Sequence, residues 1–191
     1  EVCRDAPWRH GLTGPVAAKL ISADLPHKTE AGAVALDLEG VEATGDAIRG
    51  MLASAKRYRP DAVIKGVLIQ SMVRGAIAEV LIGYRDDPAL GPFITVGSGG
   101  RLAEVFRDSV TRVAPVTLDD ARDMIASVRG LAAVRGVRGQ PGGDIDGLAR
   151  AIMALSQLAC LPGRRIAEAE INPLLVMREG VLAVDGLVVL N

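Results

Sequence analysis

Close to the end of the chain, residues 168–176 read Glu-Ala-Glu-Ile-Asn-Pro-Leu-Leu-Val, and after a short turn residues 182–185 read Leu-Ala-Val-Asp. Both flanks are apolar and rich in β-branched residues, which predicts a β-hairpin. Glu179-Gly180 has the turn chemistry a hairpin needs. With the turn centred there, Arg178 faces Val181, Asn172 faces Leu187 and Leu174 faces Asp185. Side chains alternate along a strand, so Glu170, Asn172 and Asp185 share one face. Asn172 and Asp185 become diagonal cross-strand neighbours, roughly 7–8 Å apart at the backbone. Three oxygen-bearing side chains then converge on an otherwise apolar hairpin. Mg²⁺ takes oxygen ligands, usually one or two protein carboxylates together with substrate phosphates. Spacing leaves two readings open: a Mg-nucleotide site, or the solvated face of an edge hairpin.

Upstream, strand signals come in pairs between helices. Residues 15–21 (Pro-Val-Ala-Ala-Lys-Leu-Ile) and 33–38 read as strands, separated by a loop with Pro26, His27 and Lys28. Residues 42–57 put Ala43, Ala47, Ile48, Met51, Leu52 and Ala55 at helical spacing, and Pro60 closes that helix. Residues 67–73 and 78–84 are expected to pair around Arg74-Gly75. Asp87-Pro88 and Gly91-Pro92 are turn signals. Residues 92–96 form a further strand that runs into Gly97-Ser98-Gly99-Gly100, and 102–106 a short one. Thr117 followed by Asp119 and Asp120 is an N-cap with an acidic first turn, for a helix to about Val128. Residues 135–143 are glycine-rich and form a loop. Asp144 caps a second helix through Leu148, Ile152, Leu155 and Leu158 that ends before Pro162. This order predicts an α+β fold of two lobes, with mixed or antiparallel sheets and flanking helices, and not a doubly wound sheet.

Composition narrows the function classes. Aromatic residues are only 3% of the chain, so the core must be built from Ala, Val, Leu and Ile. They are also too few for stacking platforms on single-stranded nucleic acid. The net charge of −1 leaves no basic footprint for nucleic acid. The cluster Lys56-Arg57-Tyr58-Arg59 sits where a helix ends, and cations there favour the helix dipole. Cys3 and Cys160 are isolated and lack metal-ligand spacing, which fits a reduced, cytoplasmic setting. No run approaches the ~18 apolar residues of a membrane span. The first residues lack an initiator Met and are expected to be the remnant of a longer chain, with no role assigned to Trp8-Arg9-His10.

Four further features are candidates for the chemistry, and each has an ordinary alternative. Lys19 interrupts an apolar strand; it sits on a phosphate as a point charge, or it guards a sheet edge against aggregation. His27 lies on a polar, hinge-like loop between Pro26 and Gly32, where it is a base, a covalent nucleophile or a plain surface histidine. Gly97, Gly99 and Gly100 let backbone N–H groups approach a phosphate, or they make a turn. They are no P-loop, because the Gly-Lys-Ser/Thr ending is absent. Glu79, on the apolar run 77–83, is a ligand, a base or an outward-facing acid.

Taken in order, these segments resemble a known family. Residues 15–32, Pro-Val-Ala-Ala-Lys-Leu-Ile-Ser-Ala-Asp-Leu-Pro-His-Lys-Thr-Glu-Ala-Gly, are similar to the opening of the ATP-grasp domain of NDP-forming acyl-CoA synthetases. Residues 66–73, 79–83, 87–92 (Asp-Pro-x-x-Gly-Pro), 97–108, 112–115, 136–139 and 170–173 (Glu-Ile-Asn-Pro) follow in the family's order. The resemblance covers about 14–190 and leaves 1–13 unassigned. ADP-forming acetyl-CoA synthetase is a relative and the succinyl-CoA synthetase β-subunit a more distant one. The resemblance implies the reaction acyl-CoA + ADP + phosphate ⇌ carboxylic acid + ATP + CoA, through phosphohistidine. It implies that His27, on a swinging loop, carries the phosphoryl group towards the nucleotide. A second histidine belongs to the CoA-ligase part, so partner CoA-binding and CoA-ligase domains and an oligomeric full enzyme are expected. Lys19 matches the nucleotide-phosphate lysine, and Gln70, Ser71 and Met72 the hinge beside adenine. Glu79, Gly97, Gly99 and Gly100 match positions lining the nucleotide cleft, and Asn172 and Asp185 the Mg²⁺ ligands. ATP or ADP with Mg²⁺ are the implied cofactors.

The chain departs from the family's pattern at four places. Gly32-Ala33 stands for a Gly-Gly pair, Ser71 for an acid or proline, Asp86 for a basic residue and Arg101-Leu102-Ala103 for an apolar-aromatic stretch. The family's strand and helix before Pro15 are not recognisable. These departures favour one other reading, a non-catalytic, degenerate ATP-grasp module that senses nucleotide or serves as a docking domain; a further reading, which flanking sequence would separate, is the synthetase-like region of a multidomain acetyltransferase.

Overall fold

A computed structural model describes residues 11–100, 108–137, 139, 141–162 and 166–190. The chain divides into two units, one up to Arg74 and one from Gly75 onward.

In the first unit, β1 (Val16–Ile21) lies between β2 (Val34–Leu38) and β3 (Gly66–Ser71), antiparallel to both. The helix α1 (Gly40–Tyr58) packs on one face of this sheet. Strand alternation sends Ala18 and Leu20 of β1 into that interface, where they meet Ile48, Met51 and Ala55 of α1. Burying a side chain such as Leu20 fully contributes about 1.5–3 kcal/mol. Thr44 is buried inside the helix because its hydroxyl donates to the Gly40 carbonyl at 2.6 Å. Lys56 and Arg57 occupy the last turn, as expected for cations at a helix C-terminus.

The second unit is a larger antiparallel sheet. Its strands are β4 (Ala78–Asp87), β5 (Gly91–Ser98), β6 (Ser109–Val113), β7 (Ile166–Val176), β8 (Val181–Ala183) and β9 (Gly186–Leu190). The order is β6-β5-β4-β7-β8, with β9 also on β7. One face carries Val80, Ile82, Ile94, Val96, Leu174 and Val176. They pack on Met124 and Ile125 of α2 (Leu118–Ser127) and on Leu148 and Ile152 of α3 (Ile145–Ser156). Thr117 and Asp120 form a capping box on α2, and the Asp144 side chain accepts from the Gly147 N–H at the start of α3. A 3₁₀ turn, Arg129–Arg135, follows α2, and another, Gln157–Cys160, follows α3. Among the described residues no helix is long and apolar enough to cross a membrane.

Two expectations are corrected. Residues 67–73 and 78–84 do not pair with each other: β3 joins β1, whereas β4 joins β5 and β7. Met72 N–H still donates to Pro15, but Ile77 N–H already donates to Val176. The segment around Arg74-Gly75 is therefore a connection between units and not a hairpin turn. The closing hairpin exists, but its register differs by two residues. Val176 pairs with Val181 and Leu174 with Ala183, so the turn takes four residues instead of two. The longer turn is held by tertiary bonds: Gly180 N–H donates to the Asp144 carboxylate at 2.9 Å and Asp144 N–H to the Met177 carbonyl at 2.9 Å. Of the two strands expected after 92, the one at 102–106 lies outside the described residues, and β6 begins at Ser109.

Candidate functional site

The first unit holds its expected residues on two local frameworks. Lys19 pairs with Val34 on one side and Leu68 on the other, so it lies on the central strand and cannot be an edge guard. It is 8% exposed, buried on the face opposite Ala18 and Leu20, and so opposite α1. Gln70 pairs with Ala17 and shares that helix-free face. Ser71, opposite Val16, and Met72 continue from the same strand end. His27 is exposed in the β1–β2 loop. Leu25 and Ala31, at 1% and 2% exposure, anchor the loop in the core on either side of it. Between these anchors Ala31 N–H donates to the His27 carbonyl and Ala33 N–H to the Lys28 carbonyl. Ala33 is fully buried in the same core, so this departure from a Gly-Gly pair fills space and does not obstruct the loop.

In the second unit the helices cover the face of Val80, Ile82, Ile94 and Val96, which leaves Glu79 and Gly97 on the opposite face. The helix-free face also carries Glu170, Asn172 and Asp185, since Ile171 and Leu174 on the same strand turn to the core. The register puts Ile171 beside Gly186, so Asn172 and Asp185 stand directly opposite each other, not diagonally. Asn172 N–H donates to the Asp185 carbonyl at 3.2 Å, and the Asn172 side-chain amide donates to the Glu170 carboxylate at 3.1 Å. On the side facing β4, the register shifts between Val80 and Ile82, a bulge that falls at Asn172-Pro173. Bulges of this kind re-aim side chains and recur beside functional sites.

The glycines have a packing reason as well. Gly99 N–H donates to the Glu79 carbonyl at 2.7 Å, and a Cβ on Gly99 would lie 2.9 Å from the Glu79 carbonyl carbon. Gly100 has φ +86°, and a Cβ there would lie 3.2 Å from the Glu79 carboxylate. The segment after β5 is thus drawn close to Glu79, which brings together two features that the sequence left separate. Two residues escaped the sequence reading, Asp108 and Gly130. The Asp108 carboxylate accepts from Arg129 and Gly130 N–H groups at 3.2 and 2.5 Å. No local pattern marks Asp108, because its partners lie more than twenty residues away.

Asn172 on β7 and Asp185 in the β8–β9 connection offer an amide and a carboxylate oxygen at facing positions, a donor set suited to a hard divalent cation that keeps water and substrate oxygens in its shell. Among the described residues no cluster of three or more His, Cys, Asp or Glu side chains forms a metal cage.

Comparison with known proteins bears on this geometry. A family model described as an ATP-grasp domain matches residues 7–190. The chain belongs to the ATP-grasp domain family. This ATP-grasp domain is 41% identical over 166 residues to the ADP-forming 4-hydroxybutyrate–CoA ligase of Nitrosopumilus maritimus, covering 87% of the chain and 24% of that ligase. It is 35% identical over 177 residues to the β subunit of the ADP-forming acetate–CoA ligase I of Pyrococcus furiosus, covering 92% of the chain and 75% of the subunit. The chain thus spans about a quarter of the first relative and three quarters of the second. Its fold matches the dinucleotide-forming acetyl-coenzyme A synthetase 1 of Ca. Korarchaeum cryptofilum, solved with coenzyme A, Ca-AMPCP and HgCl+. That match has a TM-score of 0.82 at 32% identity, over 93% of this chain and 76% of that one. Another structure of the same synthetase holds coenzyme A and Mg-AMPPCP, with its phosphohistidine segment pointing towards the nucleotide binding site.

Proposed function

We propose that this ATP-grasp domain is the nucleotide-binding, phosphoryl-transferring module of an ADP-forming acyl-CoA synthetase. The reaction of the whole enzyme is acyl-CoA + ADP + phosphate ⇌ carboxylic acid + ATP + CoA. In the module's share, an imidazole nitrogen of His27 takes the phosphoryl group from the second histidine of the CoA-ligase part, one P–N bond forming as the donor's P–N bond breaks, and the new bond breaks in turn when a β-phosphate oxygen of ADP takes the phosphoryl group. Imidazole is nucleophilic near neutral pH and holds such a group transiently. Lys19 carries positive charge to the nucleotide phosphates, and Gln70, Ser71 and Met72 border the base. Asn172 and Asp185 would hold Mg²⁺, which would neutralise phosphate charge when bound. Phosphoryl transfer depends chiefly on such positioning and charge stabilisation.

One observation carries the reading. In the first unit Lys19 and Gln70, and in the second Glu79, Glu170 and Asn172, lie on the sheet face away from the helices, with Asp185 directly opposite Asn172. The relatives' identity as ADP-forming CoA ligases supports the same reaction class. Partner CoA-binding and CoA-ligase domains then supply the acyl chemistry and the second histidine.

Calorimetric titration of the chain with ADP and ATP, with and without Mg²⁺, tests the reading. Mg-dependent binding in the micromolar range, about −8 kcal/mol, is the expected result. Incubation of the full-length parent chain with labelled ATP should then leave acid-labile phosphate on His27. A parent chain that binds no nucleotide, with or without Mg²⁺, is a degenerate module and the proposal fails.

A further inference from the structure

We infer that Asp108 is a positioning residue for the Gly97–Gly100 segment, and that the segment meets nucleotide phosphates only while the Asp108 carboxylate holds its base; the second half rests on the function proposed above. The segment leaves β5 at Ser98, and the chain returns to the sheet at Ser109, which pairs with Gly97. Two clamps fix its base. On one side Gly99 N–H donates to the Glu79 carbonyl at 2.7 Å. On the other, Ser98 N–H donates to the Asp108 carbonyl at 3.2 Å. The Asp108 side chain extends the second clamp to the 3₁₀ turn Arg129–Arg135. It accepts the Gly130 N–H at 2.5 Å and the Arg129 N–H at 3.2 Å.

Those N–H groups open a helical turn and have no partner within it, so a carboxylate satisfies both the missing bonds and the local positive charge. Bonds from N–H groups to an ionised acceptor are about twice as strong as neutral ones. The packing leaves no slack. A Cβ on Gly130 would lie 2.6 Å from the Ser98 Cβ and 3.2 Å from Asp108 Oδ2, and one on Gly97 would lie 3.2 Å from the Ser109 Cβ. Sub-ångström placement of a backbone binding segment comes from supports of this kind. Removing the carboxylate frees the base of the segment from the 3₁₀ turn while the sheet and its core stay in place.

Two measurements on the 191-residue chain test this. Amide hydrogen exchange compares the wild type with Asp108→Asn, which keeps one acceptor oxygen and the side-chain volume. Exchange at Ser98, Gly99, Arg129 and Gly130 should be at least tenfold faster in the variant, with the amides of β7 unchanged. Equal exchange at those four positions overturns the positioning role, whether or not nucleotide binds. Titration with Mg-ADP then compares wild type, Asp108→Asn and Asp108→Ala. Affinity should fall about tenfold or more in Asp108→Ala and by less in Asp108→Asn. An affinity within twofold of wild type, alongside faster exchange, overturns the link to phosphate binding. A wild type that binds no Mg-ADP overturns that link together with the proposed function, while the exchange result on the segment stands.

Discussion

The proposed function gives His27 and Asp185 separate parts of the chemistry, and single substitutions should separate them. His27 is exposed on a loop whose anchors, Leu25 and Ala31, are buried without it. Its removal leaves the sheet and Lys19 on its central strand intact. His27→Ala should therefore abolish covalent phosphorylation of the parent chain and leave Mg-ADP affinity within about twofold of wild type. Nucleotide binding lost together with phosphorylation would remove the carrier role. Asp185 is part-buried on the helix-free face opposite Asn172. Asp185→Ala deletes the carboxylate of the pair and should weaken Mg-dependent ADP binding about tenfold, or about 1.4 kcal/mol. If titrations with and without Mg²⁺ change equally, Asp185 is not a metal ligand. Lys19 lies on the central strand of its sheet. Its charge in an apolar run was visible in the sequence, but two explanations fitted it. Only the pairing of β1 on both sides excludes the edge-strand explanation.

At the scale of elements, the seams between strands and turns are sensitive to substitution. Gly99→Ala puts a methyl group 2.9 Å from the Glu79 backbone, a contact that no side-chain rotation relieves. Overpacking of this kind costs about 1–3 kcal/mol, and chemical denaturation of the variant measures it. A second seam ties α3 to the β7–β8 turn through Asp144. Its carboxyl is held below the usual carboxylate range, first by the Gly147 N–H and then by the Gly180 N–H. Asp87 and Asp120 are held low in the same direction, by the N–H groups of Ala89 and Leu90 and by Thr117 respectively. A carboxyl whose pKa is depressed on folding adds stability above its unfolded value of about 3.9 and loses it as pH falls through the folded value. The melting temperature should thus hold from neutral pH to about pH 5 and fall progressively below that. Asp144→Asn should melt lower at pH 7 and show a shallower decline in acid, and an unchanged acid profile would exclude Asp144 from that linkage. The same seam explains the misplaced register. A two-residue turn at Glu179-Gly180 satisfies local rules, yet Asp144 supplies bonds that favour four residues, and it lies 36 positions away.

Across the whole molecule, each unit carries a core of its own, so each should respond to damage in its own core. Leu20→Ala, in the core under α1, and Ile152→Ala, in the core of the larger sheet, each leave a cavity that costs about 2–5 kcal/mol. Hydrogen exchange should register the first loss in the amides of β1 and β3 and the second in those of β4 and β7. A uniform loss across both units from either substitution would show that they unfold as one. The extent of what local signals determine follows from the same division. Periodicity of 2 and 3.6, caps at Thr117 and Asp144, and turn residues at Asp87 and Gly91 act within a few positions, so most elements and the α+β class were legible. The ordered motifs from Lys19 to Asp185 carried the family, because residue types at many spaced positions are jointly improbable by chance. Partnership between strands is different: β3 pairs backward with β1 while β4 pairs with β5 and the distant β7. That choice depends on which apolar faces can be buried together, a property of the assembled core and not of any window of sequence. The sequence by itself determined the elements, the family and the residue types of the candidate site. Tertiary structure alone decided that Asn172 stands opposite Asp185, that Gly99 rests on Glu79 and that Asp108 reaches Gly130, because packing and long-range hydrogen bonds select among registers that local rules leave equally open.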